Sequence, residues 1–148
     1  MHCLFVKAPF AGWIVDGVKL IEYRTRETTI RGRIGIIESG TKTVIGEAEL
    51  IDCNWNPQQG FYLWLLRNPR RYTTPVPFEH KQGCVTWTIL DIDPDQQEIA
   101  PRLPDRVFHA QCGAYHRKMD QWLMDCAKSK LENLAAKIDA AAARRAEL

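Results

Sequence analysis

With 148 residues, 45% of them hydrophobic and 26% charged, and a formal net charge of +2, the chain has the make-up of an ordinary globular protein. A chain of this length hides about 68–70% of its unfolded surface, enough for one real core with room for an appendage. The net charge is too small to argue for nucleic acid by itself, and no run of about 18 apolar residues is present to span a membrane.

In chain order, Cys3 to Lys7 reads as a first strand. Pro9 suits the first turn of a short helix, lined by Phe10, Ala11, Trp13, Ile14 and Val15 and closed by Gly17 near the C′ position. The octet Gly17-Val18-Lys19-Leu20-Ile21-Glu22-Tyr23-Arg24 follows as an extended segment. Ile34–Glu38 and Val44–Cys53 are predicted strands joined by the polar turn Ser39-Gly40-Thr41-Lys42. In the second, Ala48 and Leu50 are expected to point inward while Glu47 and Glu49 face water. Asn54 to Gly60 reads as a loop, Phe61–Leu66 as an apolar strand, and Pro69, Pro75 and Pro77 as breaks. Cys84–Ile92 has the clearest alternation, with Val85, Trp87 and Ile89 on one face and Thr86 and Thr88 on the other.

The character changes after about Asp93. Pro94, Pro101 and Pro104 mark an extended connector over 94–116, and 117–148 is helical in composition. Met119, Trp122, Leu123, Cys126, Leu131, Leu134 and Ile138 recur at steps of mostly three or four, giving an apolar stripe. A helix of about 30 residues is about 45 Å long. It either folds back on its own domain or pairs with a second copy as a homodimer.

Within the octet, Lys19, Glu22 and Arg24 interrupt residues that suit a buried strand. They are either carried into a cleft or held as surface pairs worth roughly 0–1 kcal/mol each. A cation, a carboxylate and a guanidinium within six residues are the parts of a pocket that grips a polar or phosphorylated ligand. Arg24, Arg26, Arg31 and Arg33 stand against the single Glu27, and Arg67, Arg70 and Arg71 form a second cluster. Phosphate attraction follows if the fold brings the two clusters to one face.

The series of blocks resembles an ASCH domain, a member of the PUA-like superfamily of small β-barrels associated with RNA. It runs through Val6-Lys7-Ala8-Pro9-Phe10-Ala11, the Gly-x-Lys-x-x-Glu-x-Arg octet, Arg31-Gly32-Arg33-Ile34-Gly35-Ile36 and Val44-Ile45-Gly46-Glu47-Ala48-Glu49-Leu50. Tyr62-Leu63-Trp64, Pro75-Val76-Pro77 and Lys81-Gln82-Gly83-Cys84-Val85-Thr86-Trp87 complete it. The resemblance covers residues 1–93. It implies an α+β fold: a small PUA-like β-barrel with a covering N-terminal helix, here followed by a long C-terminal helix.

The resemblance also implies an RNA- or nucleotide-binding cleft beside the octet, lined by Lys19, Glu22 and Arg24, with Arg26, Trp64 and Lys81 as further contacts. Lys19 offers up to three donors. Arg24 grips phosphate through two parallel bonds or stacks on a ring. Glu22 accepts from an exocyclic amine or a ribose hydroxyl. Trp64 and Trp87 are either core residues or stacking platforms, and Lys81 beside Gly83 is either a cation at the mouth or an ordinary turn lysine.

A hydrolase at the same cleft is the alternative, with Lys19 and Glu22 as its catalytic candidates. As a ribonuclease, Lys19 and Arg24 would stabilise phosphate charge and Glu22 would act as base. Some small ASCH-like proteins are amidohydrolases on a modified cytidine, using a lysine of the octet and a threonine where Glu22 stands. This chain keeps Lys19 but lacks that hydroxyl, and Thr25 points to the opposite strand face from Arg24.

His109, Cys112 and His116, with Cys126 beyond, match no zinc-finger spacing, so neither a metal nor a cofactor is expected. The scattered, odd-numbered Cys3, Cys53, Cys84, Cys112 and Cys126 suit reduced thiols. Lys7, Pro9 and Asp16 interrupt the apolar stretch near the start, against a secretory signal. A cytoplasmic protein is expected.

Overall fold

A computed structural model describes residues 1–147 of the chain. Its elements are β1 (His2–Val6), α1 (Phe10–Val15), β2 (Ile21–Arg24), β3 (Gly32–Glu38), β4 (Thr43–Asn56), β5 (Phe61–Pro77), β6 (Trp87–Ile89), a 3-10 turn at Pro94–Gln96, and α2 (Asp105–Ala146). The chain divides into two compact units, Met1–Tyr115 and His116–Leu148.

The first unit is α+β, built on one mixed six-stranded sheet in the order β2-β5-β4-β3-β1-β6. The β1–β3 pair is parallel and the others are antiparallel. Both faces of β1 are buried. Leu4 and Val6 join Ile34, Ile36, Leu50 and Trp64 in one cluster under α1, while Cys3 and Phe5 join Ile37, Val44 and Tyr72 in the other. A strand covered on both sides reads as a continuous apolar run. Helix α1 seats Ala11, Ile14 and Val15 in the first cluster. It comes so close to β4 that a Cβ on Gly46 would lie 2.7 Å from Val15 Cγ1 and 2.3 Å from the Arg70 carbonyl oxygen. Only glycine fits there.

No β2–β6 ladder closes the sheet among the described residues. The two margins are nonetheless drawn together by side chains. Arg24 Nη2 on β2 donates to the Phe5 carbonyl of β1 at 2.7 Å. Trp64 on β5 stacks on Trp87 of β6, with centroids 5.7 Å apart and planes 12° from parallel.

Several expectations need correction. Strand β6 is only Trp87–Ile89, and its facing is not the expected one: Thr88 is buried, whereas Val85 is 80% and Ile89 66% exposed. Val85 lies in the bend before the strand, and Ile89 stands on a three-residue margin paired only with β1. Glu47 is buried rather than facing water, because Tyr72 Oη donates to its Oε2 at 2.9 Å and Arg33 Nε stands 3.9 Å from its Oε1.

The stretch Asn54–Asn56 belongs to β4, paired with Phe61–Leu63. The prolines do not break β5. Pro69 falls where the β4–β5 register slips, next to Asn68 at φ 49°, and bulges of this kind accommodate a missing N–H.

The segment before α2 is also tied down. Tyr72 bridges Ile99, Thr73 N donates to Glu98 O at 2.9 Å, and Ala100 N donates to Arg71 O at 2.8 Å. Helix α2 begins at Asp105, well before residue 117, with Phe108 N donating to Pro104 O at 2.9 Å. Proline is well suited to that first turn. Within the second unit, Leu131, Leu134 and Ile138 of the expected stripe are exposed and Met119 is buried. No helix among the described residues is long and apolar enough to cross a membrane.

Candidate functional site

The octet begins at the end of α1. Gly17, at φ +79°, takes the left-handed conformation that a helix C-terminus favours. Val18 N and Lys19 N then both donate to the Trp13 carbonyl, at 2.8 and 3.0 Å, which turns Lys19 inward before β2 starts. Lys19 is 2% exposed and Glu22 8%, so these are not surface pairs.

Lys19 Nζ stands 3.5 Å from Glu22 Oε1, and Arg24 Nη2 stands 3.9 Å from Glu22 Oε2. The ammonium also donates to the Ile21 carbonyl and lies 5.9 Å from the Phe10 ring centroid and 5.7 Å from that of Tyr23. Burial holds the Lys19 pKa below its ordinary value, and Glu22 partly offsets that shift. Burial first, then Tyr23 and Glu22, push Tyr115 up to about 12.

Glu22 Oε1 accepts from Tyr23 N at 3.1 Å. Its Oε2 is buried and has no hydrogen-bond partner, and the same is true of Arg24 Nε. Residues two apart on a strand share a face. One buried acceptor and one buried donor on the same face are therefore without a hydrogen-bond partner, and unpaired groups of this kind are costly.

Trp64 is packed beside the trio. It is 2% exposed, its Nε1 donates to the Arg26 carbonyl at 3.1 Å, and the Arg24 guanidinium lies 5.7 Å from its ring centroid. The structure thus brings Lys19, Glu22, Arg24 and Trp64 together. Arg26 joins through its backbone while its side chain is exposed. Lys81 lies in the exposed turn before β6, where its carbonyl accepts from Cys84 N at 3.2 Å, and no hydrogen bond or ion pair joins its side chain to the trio.

The arginine clusters are largely engaged by carboxylates. Arg71 makes two bonds to Asp16 at 2.7 and 2.8 Å, Arg67 meets Glu49 at 2.5 Å, and Arg33 meets Asp95 at 2.7 Å. A hollow of about 340 Å³ beyond α1 is lined by Gly12, Trp13, Asp16, Arg71 and Gln111 but by none of the trio. His109, Cys112 and His116 lie along α2, and no group of three or more His, Cys, Asp or Glu side chains among the described residues is placed to hold a metal ion.

One exposed aromatic escaped the sequence reading. Trp55, 52% exposed, sits on β4 opposite Tyr62, with ring centroids 4.9 Å apart. Its signal was a single tryptophan within the polar run Asp52–Gly60, the kind of residue that a loop assignment hides.

The model of the ASCH domain family matches residues 4–87, and the chain belongs to that family. Among solved structures it is similar to the ASCH protein of Zymomonas mobilis and to two mutant forms of it. Each is 22% identical over 64% of this chain and 90%, 93% and 91% of theirs, with a TM-score of 0.49. Comparison with curated proteins returns no match.

Proposed function

We propose that this protein binds RNA, or a nucleotide-like ligand, at the Gly17–Arg24 segment, with Lys19, Glu22 and Arg24 as the reading groups. Membership of a family generally associated with RNA supports the class of ligand. The observation that carries the site is the buried, unpartnered pair of Glu22 Oε2 and Arg24 Nε. A nucleobase edge offers the matching donor and acceptor, since Glu22 accepts from an exocyclic amine and Arg24 donates to a ring nitrogen or carbonyl. A carboxylate repels phosphate, so the trio suits a base or sugar better than the bare backbone. The exposed Arg26 is the phosphate contact, and Lys81 a peripheral one.

The PUA-like barrel reading goes with this function and rests on the side-chain bridges from Arg24 to Phe5 and from Trp64 to Trp87. Five free cysteines support a reducing, cytoplasmic setting.

Binding is tested by titrating labelled RNA into wild type, Lys19→Ala and Arg24→Ala. Both variants weaken affinity, and Arg26→Ala lowers the slope of log affinity against log salt by about 1. Unchanged affinity in folded Lys19→Ala and Arg24→Ala refutes the site.

A hydrolase at the same place is a second reading, favoured by the lowered pKa of Lys19, which leaves a larger fraction of free amine for proton transfer. Incubation with RNA and with acylated nucleosides tests it. Absence of turnover, or turnover that survives Lys19→Ala and Glu22→Ala, removes it.

A further inference from the structure

Strand register extends the candidate site beyond the trio. Glu22 lies opposite Trp64, and Trp64 opposite Cys53; two residues along, Arg24 lies opposite Tyr62, and Tyr62 opposite Trp55. Residues directly opposite one another share a face of the sheet. Arg24, Tyr62 and Trp55 therefore form a row across three strands, on the face that carries Glu22 and Trp64. Neighbouring strands are about 4.8 Å apart, so the row spans about 10 Å.

Burial declines along that face. Trp64 is 2% exposed, Tyr62 is half-buried, and Trp55 at the outer end is 52% exposed. Trp55 is also held in place, because Tyr62 meets its ring at 56° with centroids 4.9 Å apart. An oriented, half-exposed indole lies on the same face as a buried donor and acceptor, with the partly exposed Arg24 side chain in its row and the exposed Arg26 next to Trp64. That combination fits an anionic chain carrying flat apolar faces.

We propose that Trp55, supported by Tyr62, is a stacking platform for an unpaired base next to the base read by Glu22 and Arg24. The preferred ligand is then a single-stranded RNA segment of at least two nucleotides, not a lone nucleotide. This inference rests on the binding reading above and adds a subsite and a ligand class to it.

The test compares a short single-stranded RNA of mixed sequence, the same RNA as a duplex, and nucleoside monophosphates. Each is titrated against wild type, Trp55→Ala, Trp55→Phe and Arg24→Ala, with circular dichroism to confirm folding. The platform requires that Trp55→Ala weaken the single strand about tenfold while leaving monophosphate affinity unchanged, and that Trp55→Phe restore most of the loss. Single-strand binding that Arg24→Ala weakens but Trp55→Ala does not would overturn the platform and leave the binding reading standing. Equal affinity for the duplex would also overturn it. So would a Trp55→Ala variant that keeps its RNA affinity but loses self-association, which would make the surface a protein interface. A wild type that binds no RNA in any form removes both proposals.

Discussion

Replacing Glu22 by glutamine keeps the side chain's shape and removes the one carboxylate standing between Lys19 and Arg24. The contacts it loses are 3.5 and 3.9 Å long. At an effective dielectric of about 20, each is worth about 4–5 kcal/mol before desolvation is counted. Taking one partner from a buried pair costs about 3–5 kcal/mol. The Arg24 side chain is 25% exposed and retains some water, so the lower end, about 3 kcal/mol, applies.

The pH dependence is more diagnostic than the size. Lys19 already titrates below 10.5 because it is buried, and Glu22 supplies the leading opposing influence. Without Glu22 its folded pKa falls further. Between the folded pKa and the unfolded value the unfolded chain binds more protons, so stability rises with pH. The variant enters that window earlier, recovering about 1.36 kcal/mol for each unit by which its Lys19 pKa lies below that of wild type. Urea titrations from pH 7 to 10 measure this. At pH 7 the midpoint should fall by about 1.5 M for a slope near 2 kcal/mol/M, and the gap to wild type should narrow toward pH 10. A loss under about 1 kcal/mol, or a gap constant over that range, refutes the picture of a buried, mutually dependent trio.

Two further substitutions probe the frame. Gly46→Ala should destabilise by about 3 kcal/mol, because a backbone carbonyl 2.3 Å from the new Cβ cannot yield without breaking the β4–β5 ladder. Gly83→Ala is the control: nothing lies within 4 Å and only its φ of +90° is strained, so denaturant titration should show about 1 kcal/mol. Tyr72→Phe should cost about 1–3 kcal/mol by leaving buried Glu47 without its hydroxyl partner, and thermal melts that match wild type would contradict that role.

Local signals carried much of this structure. The proline and glycine at the ends of α1 marked that helix, and the charged residues of the octet proved to be neighbours because three and two positions on a turn-plus-strand bring side chains together. What periodicity could not convey was which faces are covered. Thr88 is buried while Val85 and Ile89 are exposed, because a sheet margin is covered only where other elements reach it. Glu47 looked like the polar half of an alternating strand, yet Tyr72, from 25 residues away, gives it a buried partner. The early start of α2 and the anchoring of 98–100 against Arg71–Thr73 rest on contacts of the same long-range kind. Trp55 was hidden for a related reason: a β-hairpin arm rich in asparagine and glutamine has the composition of a loop.

Arg24, the proposed reader, also serves as a clasp. Its terminal nitrogen fastens the first strand to the second through Phe5, while its inner nitrogen stays idle. A guest that engages only the idle atom leaves the clasp shut and tightens it by polarising the same guanidinium. One that draws away the whole group would let the seam part. Amide exchange at the first strand, measured with and without RNA, would therefore report how the guest is held even where its affinity does not.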